Sequence, residues 1–396
     1  MMKRGIMKNQ FGYLDICQSV YRKWQSLDTL PDTAEVLLEY SVLRLGRIGM
    51  AGAAEKSFWQ NFFDSRKAEI IASSGKKRSE TTTLYWPFHP GAAWLAARSP
   101  EEEELKSAGK TAAEQLLREG HRNSEGLFDD PFYPGHLSTE ILAMTVPFLA
   151  WTGRSTGEFR FFDEAASQIK GYAGKLYDRI SGLWHPGFLP GQANSRMWDM
   201  TNKSPLSQEL YLPETGTFPG CWGRGEGYAL FAISELVFEL PDEHPEKSVL
   251  LALRGEMLEK ILPYQDSDGM WHQVLNDWGS YPESSGTAWI LYALGRAFKR
   301  GTIDREKFLN SYLKGLAGLN RYLAFDGSVF NGSTGSICPG GRGTAVDFAL
   351  TRWLKNERNA FAPVLLALQQ AAQIEHHTGL IPPLEEVMKQ FAGGER

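Results

Sequence analysis

Apolar residues recur at intervals of three and four along most of the chain, the spacing of a helix with a buried face. In the segment ALFAISELVFEL, for example, Leu230, Ile233, Leu236, Val237 and Leu240 follow this spacing. Alternation of the strand type is almost absent. The pattern predicts a mainly helical protein with helices at about 11–27, 31–47, 55–71, 91–98, 102–120, 138–152, 160–180, 225–240, 246–263, 285–299, 304–323, 343–354 and 360–378.

Four segments between predicted helices share a glycine turn, then an apolar residue, then an aromatic residue. They read EGLFDDPF, SGLWHPGF, DGMWHQVL and DGSVFNGS. Their glycines, Gly126, Gly182, Gly269 and Gly327, are 56, 87 and 58 residues apart, and the long interval contains the loop 186–223. A unit of about 57 residues accommodates two helices with their loops.

Six such helix pairs need about 340 residues, which fits a chain of 396 residues with its loops. We therefore predict an all-α fold, an (α/α)6 barrel, in which residues 1–396 form a single domain. The four aromatic turns would then surround one mouth of the barrel. The alternative is that the four glycine turns are unrelated.

Charge and cysteine content narrow the classes of partner. The net charge is −5 and the pI about 6.0, so neither nucleic acid nor an anionic membrane is an expected partner. Cys17, Cys221 and Cys338 are widely spaced, which fits neither a disulfide framework nor a metal site. No apolar segment is long enough to cross a membrane, and no secretion signal is visible. We expect a cytoplasmic protein without metal or cofactor, a monomer or a homodimer.

The segment CWGRGEGY (221–228) carries the most specific candidate chemistry. We interpret it as a loop that delivers Trp222, Arg224 and Glu226 to the start of a helix. An aromatic ring, a guanidinium and a carboxylate suit a sugar acid, because the ring stacks, the arginine pairs with the acid and the glutamate binds hydroxyls. The alternative is a glycine-rich helix start with a surface Arg–Glu pair. An aromatic content of 12%, with 12 Trp, favours a sugar-binding cleft.

Glu140 lies in the first turn of a strongly apolar predicted helix, four residues after His136. A carboxylate there can act as a general acid or base. The helix dipole favours its ionised form and an apolar environment favours its neutral form, so the sequence leaves the protonation state open. Glu140 could also be only a helix-start carboxylate.

His185 and His272 follow GLW and GMW at equivalent places in two turns, which makes them candidates for ligand contact; the alternative is that each is a hydrogen-bonded turn residue. Tyr281 and Glu283 precede a helix whose N-cap is predicted at Ser284 or Ser285. Glu283 could serve only that helix start. CPGGRGTAVDF lacks the residues of a phosphate loop, and no Gly-x-Ser-x-Gly segment predicts a serine hydrolase.

In order along the chain, YPGHLSTEILAMTVPFLA, GLWHPGF, CWGRGEGY and GMWHQVLNDWGSYPESSGTAWILYALGRAFKRG resemble glycoside hydrolase family 105 and its relative, family 88. The resemblance covers about residues 84–350. It implies an (α/α)6 barrel and removal of a terminal 4,5-unsaturated uronic acid from oligosaccharides. In that reaction an acidic residue protonates C4, water adds at C5, and the hemiketal opens to release the next sugar.

The resemblance assigns the acid/base place to Glu140 and substrate binding to His185, Trp198, Asp199, Trp222, Arg224 and His272. From the residues themselves we also predict substrate contacts for His136, Glu226 and Tyr281. The sequence departs from the family pattern twice. Glu140 replaces the usual Asp, with Ser138 in place of an aromatic residue, and the stretch 85–91 lacks the carboxylates that often stand there.

We therefore predict a hydrolase for small, pectin-derived unsaturated uronyl oligosaccharides. The departures keep two alternatives open. One is a glycosidase or epimerase of different specificity on the same barrel, and the other is a non-catalytic sugar-binding relative.

Overall fold

The computed structural model describes residues 12–27, 32–52, 57, 60–61, 63–65, 67–68, 90–99, 102–130, 134–189, 198–199, 204–205, 216–334 and 345–391. Helices dominate these residues: α1 (Tyr13–Gln25), α2 (Asp32–Gly52), α3 (Pro90–Ala96), α4 (Glu103–Glu119), α5 (Thr139–Thr156), α6 (Phe159–Leu176), α7 (Gly223–Glu239), α8 (Lys247–Ile261), α9 (Ser284–Arg300), α10 (Arg305–Arg321), α11 (Ala345–Ala349), α12 (Arg358–Thr378) and α13 (Leu384–Gln390), with a 3₁₀ turn at Leu262–Tyr264.

Short antiparallel strand pairs connect the helices. The strands are β1 (Leu137–Ser138), β2 (Tyr177–Asp178), β3 (Leu183–Trp184), β4 (Gly187–Phe188), β5 (Trp198–Asp199), β6 (Ser204–Pro205), β7 (Gly332–Ser333) and β8 (Trp353–Leu354). β1 pairs with β4, β2 with β3, β5 with β6, and β7 with β8.

Within the described residues, six helices form a closed inner ring. α2 packs against α3, and the ring continues through α5, α7, α9 and α12 back to α2. Helices α1, α4, α6, α8 and α10 pack around its outside. The ring helices α5, α7 and α9 are buried around most of their circumference, whereas the outer helices α4 and α6 bury one face. The all-α fold and the (α/α)6 barrel are thus confirmed, while a single domain over residues 1–396 stays a prediction.

The four aligned glycines occupy equivalent turns. Their φ angles are 80°, 73°, 94° and 81°, values that glycine adopts without strain. Each turn follows an outer helix, and a backbone bridge closes it: Arg122 with Phe128, Tyr177 with Trp184, Gln265 with Trp271, and Leu323 with Val329. The turns are therefore one repeated unit.

The segments after these turns lie on the starts of neighbouring ring helices. Thr139 N donates to Pro186 O (3.1 Å), and Gly223 N donates to Gln273 O (2.9 Å). Ser284 N likewise donates to the segment after the fourth turn. Each bond ties the segment after the second, third or fourth turn to the end at which a ring helix begins, as expected if the aromatic turns surround one mouth of the barrel.

A glycine pair tests whether this turn geometry stabilises the protein. A Cβ on Gly269 would lie 2.1 Å from Lys314 O at a positive φ, so we expect Gly269→Ala to lower the free energy of unfolding by about 2 kcal/mol or more. Gly174 in α6 is exposed and has nothing near its Cβ position, so Gly174→Ala should raise it by about 0.5–1 kcal/mol. Urea unfolding measures both. Equal effects would show that the third turn is not constrained.

Several boundaries differ from the prediction. α7 begins at Gly223, so Arg224 and Glu226 lie in its first turn and not in a preceding loop. The predicted helix 343–354 is α11 followed by β8, and α13 was not predicted. Most of the predicted helix 55–71 lies outside the described residues. No helix among the described residues is both long and apolar enough to cross a membrane.

Candidate active site

A pocket opens on the axis of the ring at the end where the inner helices begin. Every lining residue lies within the first six residues of its helix, and five of the six ring helices contribute. The principal lining residues are Leu37, Glu140, Met144, Tyr228, Trp289 and Asn359. The ring therefore brings a carboxyl group, a phenol and an indole to its mouth from segments far apart in sequence.

Glu140, the second residue of α5, is the carboxyl group of this pocket. The Ser138 hydroxyl caps the helix by accepting from Ile141 N (3.3 Å). Burial raises the pKa of Glu140; Arg224 opposes this rise, Asp130 adds to it, and His136 opposes it. Burial is the largest of these influences, so the environment of Glu140 favours the neutral carboxyl group, one of the two possibilities that the sequence left open. A carboxyl group with a raised pKa is suited to general acid catalysis.

Arg224 and Trp222 form a buried pair at the start of α7. The guanidinium carbon lies 4.7 Å from the centroid of the Trp222 ring, and Nη1 donates to Ser333 O (2.9 Å). Arg224 and Trp222 are each 1% exposed and Glu226 is 0% exposed. The alternative interpretation, a surface Arg–Glu pair, is therefore wrong.

The glycines of CWGRGEGY have a packing role. A Cβ on Gly223 would lie 2.5 Å from His272 O, and one on Gly227 would lie 2.4 Å from Trp289 Cβ. On the facing helix, a Cβ on Gly286 would lie 2.6 Å from the backbone of Gly223. The starts of α7 and α9 thus approach too closely for larger residues, and this contact explains why the glycines occur inside a helix and not in a flexible loop.

Glu226 contacts the second turn and does not line the pocket. Its Oε2 accepts from Trp184 N (2.7 Å), and burial raises its pKa to about 8. The side chain therefore holds β3 against α7. Its predicted contact with substrate hydroxyls stays a prediction.

The first two candidate histidines flank one aromatic residue, Phe218. The His136 ring lies 5.7 Å from the Phe218 ring, and His185 Nδ1 lies 3.0 Å from Phe218 O. His136 is 1% exposed, and its Nδ1 lies 3.5 Å from Asp130 Oδ2. Both side chains thus lie where the first and second turns meet.

His272 and Tyr281 lie at the third turn. His272 Nε2 is 3.1 Å from Asp266 Oδ2, and its ring contacts the exposed Trp278 edge-on. Burial raises the pKa of Tyr281, and nearby Glu283 raises it further. Substrate contacts by these residues and by the first two histidines stay predictions. Within the described ranges, no group of three or more His, Cys, Asp or Glu could hold a metal ion.

The remaining candidates lie mostly beyond the described parts of the chain. Trp198 and Asp199 form β5, which pairs with β6, but their side chains are outside the described residues. Residues 85–89, most of the stretch that departs from the family pattern, also lie outside the described residues. The contacts predicted for Trp198 and Asp199 stay predictions.

Glu283 serves the start of α9. Its carboxylate accepts from the backbone nitrogens of Ser285 (2.9 Å), Gly286 (2.6 Å) and Ser333 (2.9 Å). Glu283 itself is therefore the N-cap, and the prediction of Ser284 or Ser285 is wrong. A carboxylate accepts more backbone donors than a serine hydroxyl can, and here it also ties β7 to the helix start.

Sequence reasoning missed Tyr228, Trp289 and Asn359 as pocket residues. Tyr228 stands four residues after Arg224 on a helix, so its position on the same face was predictable. Trp289 and Asn359 carry no such signal, because only ring closure brings α9 and α12 to the pocket.

A buried polar layer also escaped prediction. It lies deeper in the ring, where Glu235 accepts from Tyr292 Oη (2.6 Å) and Trp151 Nε1 (3.1 Å) and pairs with Arg296. These residues stand later in their helices than the pocket residues do, and Tyr292 contacts Trp289 of the pocket edge-on.

The model of Glycosyl Hydrolase Family 88 matches residues 93–370, and the chain belongs to this family. The resemblance identified from the motifs is thereby confirmed. A solved structure of a family 105 glycoside hydrolase from C. acetobutylicum is 21% identical, with a TM-score of 0.71 over 91% of this chain and 99% of that one. At this identity the match shows the shared fold.

Two curated relatives are similar over part of the chain. Unsaturated rhamnogalacturonyl hydrolase YesR of Bacillus subtilis is 25% identical over 231 residues, 57% of this chain and 59% of the relative. An unsaturated 3S-rhamnoglycuronyl hydrolase of Alteromonas sp. is 31% identical over 113 residues, 28% of this chain and 27% of the relative. The chain thus matches less than two thirds of the length of either relative.

Proposed function

We propose that the protein is a glycoside hydrolase that removes a terminal 4,5-unsaturated uronic acid from small oligosaccharides derived from pectin. Membership of family 88 and the names of the similar relatives support this class of reaction. The observation that carries the proposal is Glu140, a carboxyl group with a raised pKa in the axial pocket and within the electrostatic influence of Arg224. Location in the cytoplasm and oligomeric state stay predictions.

In the proposed mechanism, Arg224 pairs with the uronate carboxylate of the substrate, and the Trp222 ring holds the guanidinium in place. Tyr228 and Trp289 line the pocket beside Glu140, and their aromatic rings are suited to contact with the unsaturated ring of the substrate. Protonated Glu140 donates its proton to C4 of the double bond, and a water molecule adds at C5. The Glu140 carboxylate then accepts a proton from that water, so one residue serves as acid and base.

The product of this addition is a hemiketal, which opens and releases the next sugar. The overall change is the addition of one water molecule and cleavage of the link between the two sugars. Because the glycosidic carbon is never attacked directly, the usual separation rule for paired carboxylates does not apply.

A time course with unsaturated galacturonyl-rhamnose and unsaturated glucuronyl disaccharides tests this function. The conjugated double bond absorbs ultraviolet light, so hydration is measured as loss of absorbance. We expect loss with at least one of the two substrates and release of the second sugar in equal amount. Constant absorbance with both, beside a positive control enzyme, would overturn the proposal and favour a saturated glycoside or binding without turnover.

A further inference from the structure

Positively charged side chains gather towards the end of the ring opposite the pocket, where the inner helices finish. They are Arg44 of α2, Arg98 just after α3, and Arg296, Lys299 and Arg300 of α9, and we name these five the basic cluster. The pocket is lined by the first six residues of its helices, so the two sites lie at opposite ends of the ring. The proposed reaction uses none of the five side chains.

An aromatic ring brings three guanidinium groups of the basic cluster together. The guanidinium carbons of Arg296, Arg300 and Arg98 lie 3.3, 4.0 and 5.8 Å from the centroid of the Phe238 ring. The face of the ring attracts each cation, but the ring carries no net charge. The repulsion among the three arginines is therefore offset only in part by Phe238.

A neutral amide oxygen joins the other two members of the cluster. Gln373 Oε1 of α12 accepts from Arg44 Nη2 (3.1 Å) and from Lys299 Nζ (3.2 Å). Arg44 Nη2 also donates to Gln370 Oε1 (2.5 Å), which belongs to a second neutral amide. Two full positive charges consequently share acceptors that carry no charge.

Carboxylates neutralise two of the five cations. Glu239 pairs with Arg98, and Glu235 pairs with Arg296 (2.9 Å). The other three members bond to no carboxylate within the described part of the chain: Arg44, Lys299 and Arg300. An excess of three positive charges therefore remains in the basic cluster.

Burial makes this excess of charge costly. Arg44 is 4% exposed and Arg296 is 5% exposed, and Arg44 Nη1 and Arg296 Nε have no hydrogen-bond acceptor among the described residues. Burial, followed by the charges of the four arginines of the cluster, lowers the pKa of Lys299 to about 8. The direction agrees with the contacts, because a positive charge on Lys299 is disfavoured until an anion lies beside it.

Helix ends explain only part of this arrangement. The last carbonyl groups of a helix attract cations, but the attraction fades within about one turn. Arg44 stands eight residues before Gly52, the end of α2, and is beyond that reach. Lys299 and Arg300 are the last two residues of α9, and they are half-buried and exposed respectively, so a solute can reach them.

We propose that the basic cluster binds a tetrahedral dianion of the phosphate class, free or as a phosphate monoester, which contacts Lys299 and Arg300 above the buried Arg44 and Arg296. An ammonium group and a guanidinium fork both suit phosphate oxygens. A dianion matches the excess of positive charge better than a monoanion such as a uronate does, because the attraction grows with the charge. This site is separate from the proposed reaction and does not depend on it.

The first test is isothermal titration calorimetry of the full chain at pH 7 and constant ionic strength, with inorganic phosphate and with glycerol 3-phosphate. We expect one dianion per chain, and galacturonate, a monoanion, should bind about tenfold more weakly or less. The tighter of the two phosphates identifies the free ion or the monoester as the preferred form. Absence of saturable binding by both, or equal binding of galacturonate, would overturn the proposal.

Variants locate the binding site. Lys299→Gln and Arg300→Gln should each raise the Kd for phosphate about tenfold or more, because each removes a charge-assisted hydrogen bond. Lys307→Gln is the matched control, since Lys307 lies on the outer helix α10, is 46% exposed and pairs with Glu259. It should bind phosphate as the wild type does. Wild-type affinity in Lys299→Gln and Arg300→Gln would place the anion elsewhere and contradict the assignment.

Thermal unfolding at pH 7 separates a ligand site from a structural role of Lys299. Folding lowers the pKa of Lys299, so below its unfolded pKa this group destabilises the folded state. Without phosphate, Lys299→Gln should therefore melt at or above the wild-type temperature. Added phosphate should raise the wild-type melting temperature more than that of Lys299→Gln, since a ligand stabilises the state that binds it. An equal rise in both proteins, or a lower melting temperature of Lys299→Gln without phosphate, would count against the site.

Discussion

Replacing Glu140 with glutamine is expected to lower kcat on an unsaturated uronyl disaccharide by about 10² to 10⁴-fold. This is the usual contribution of a general acid or base, and glutamine keeps the shape of the side chain while losing the transferable proton. The loss should appear in kcat with little change in KM, because Glu140 acts on the double bond and not on the uronate. The ultraviolet time course measures it.

Stability measurements separate this result from unfolding. Burial raises the pKa of Glu140 in the folded protein. At a pH above the pKa that Glu140 has in the unfolded chain, this carboxyl group therefore lowers the free energy of unfolding. A neutral glutamine removes that loss of stability. The melting temperature of Glu140→Gln should therefore equal or exceed that of the wild type at pH 8. Glu306→Gln is the control, since Glu306 is the second residue of α10 and exposed. Near-normal turnover by Glu140→Gln would remove it from the catalytic role.

Arg224→Lys is expected to lower kcat/KM by about 10- to 100-fold, mainly through a higher KM. A lysine keeps the charge but cannot form two parallel hydrogen bonds to a carboxylate, and charge-assisted bonds of this kind contribute about 1.5–3 kcal/mol. It would also lose the planar stacking on Trp222 and the bond to Ser333 O. Steady-state kinetics on the same disaccharide provide the measurement.

Two controls accompany Arg224→Lys. Arg179→Lys exchanges an exposed arginine and should leave both kinetic constants unchanged. A substrate analogue with a methyl-esterified uronate should show little difference between wild type and Arg224→Lys, because it offers no carboxylate. Unchanged kcat/KM in Arg224→Lys on the free acid would mean that another residue binds the uronate.

The sequence by itself determined the helices, the repeat and the family. Helices follow from local periodicity, and Gly126, Gly182, Gly269 and Gly327 mark turns because a positive φ is a property of the single residue. The motif order was sufficient to place Glu140, Trp222 and Arg224 at the starts of ring helices. Local periodicity is a weaker signal at the ends of helices. The predicted start of α7, residue 225, therefore came two residues after the observed start, Gly223.

Tertiary structure decided the properties that arise from contacts between distant segments. Whether Glu140 holds its proton depends on burial by the ring and on Arg224, Asp130 and His136, whose combined effect no sequence spacing gives. The glycines of α7 are explained only by the approach of α9. The pocket itself exists because five helices begin at one end of a closed ring, and closure is a long-range property of packing.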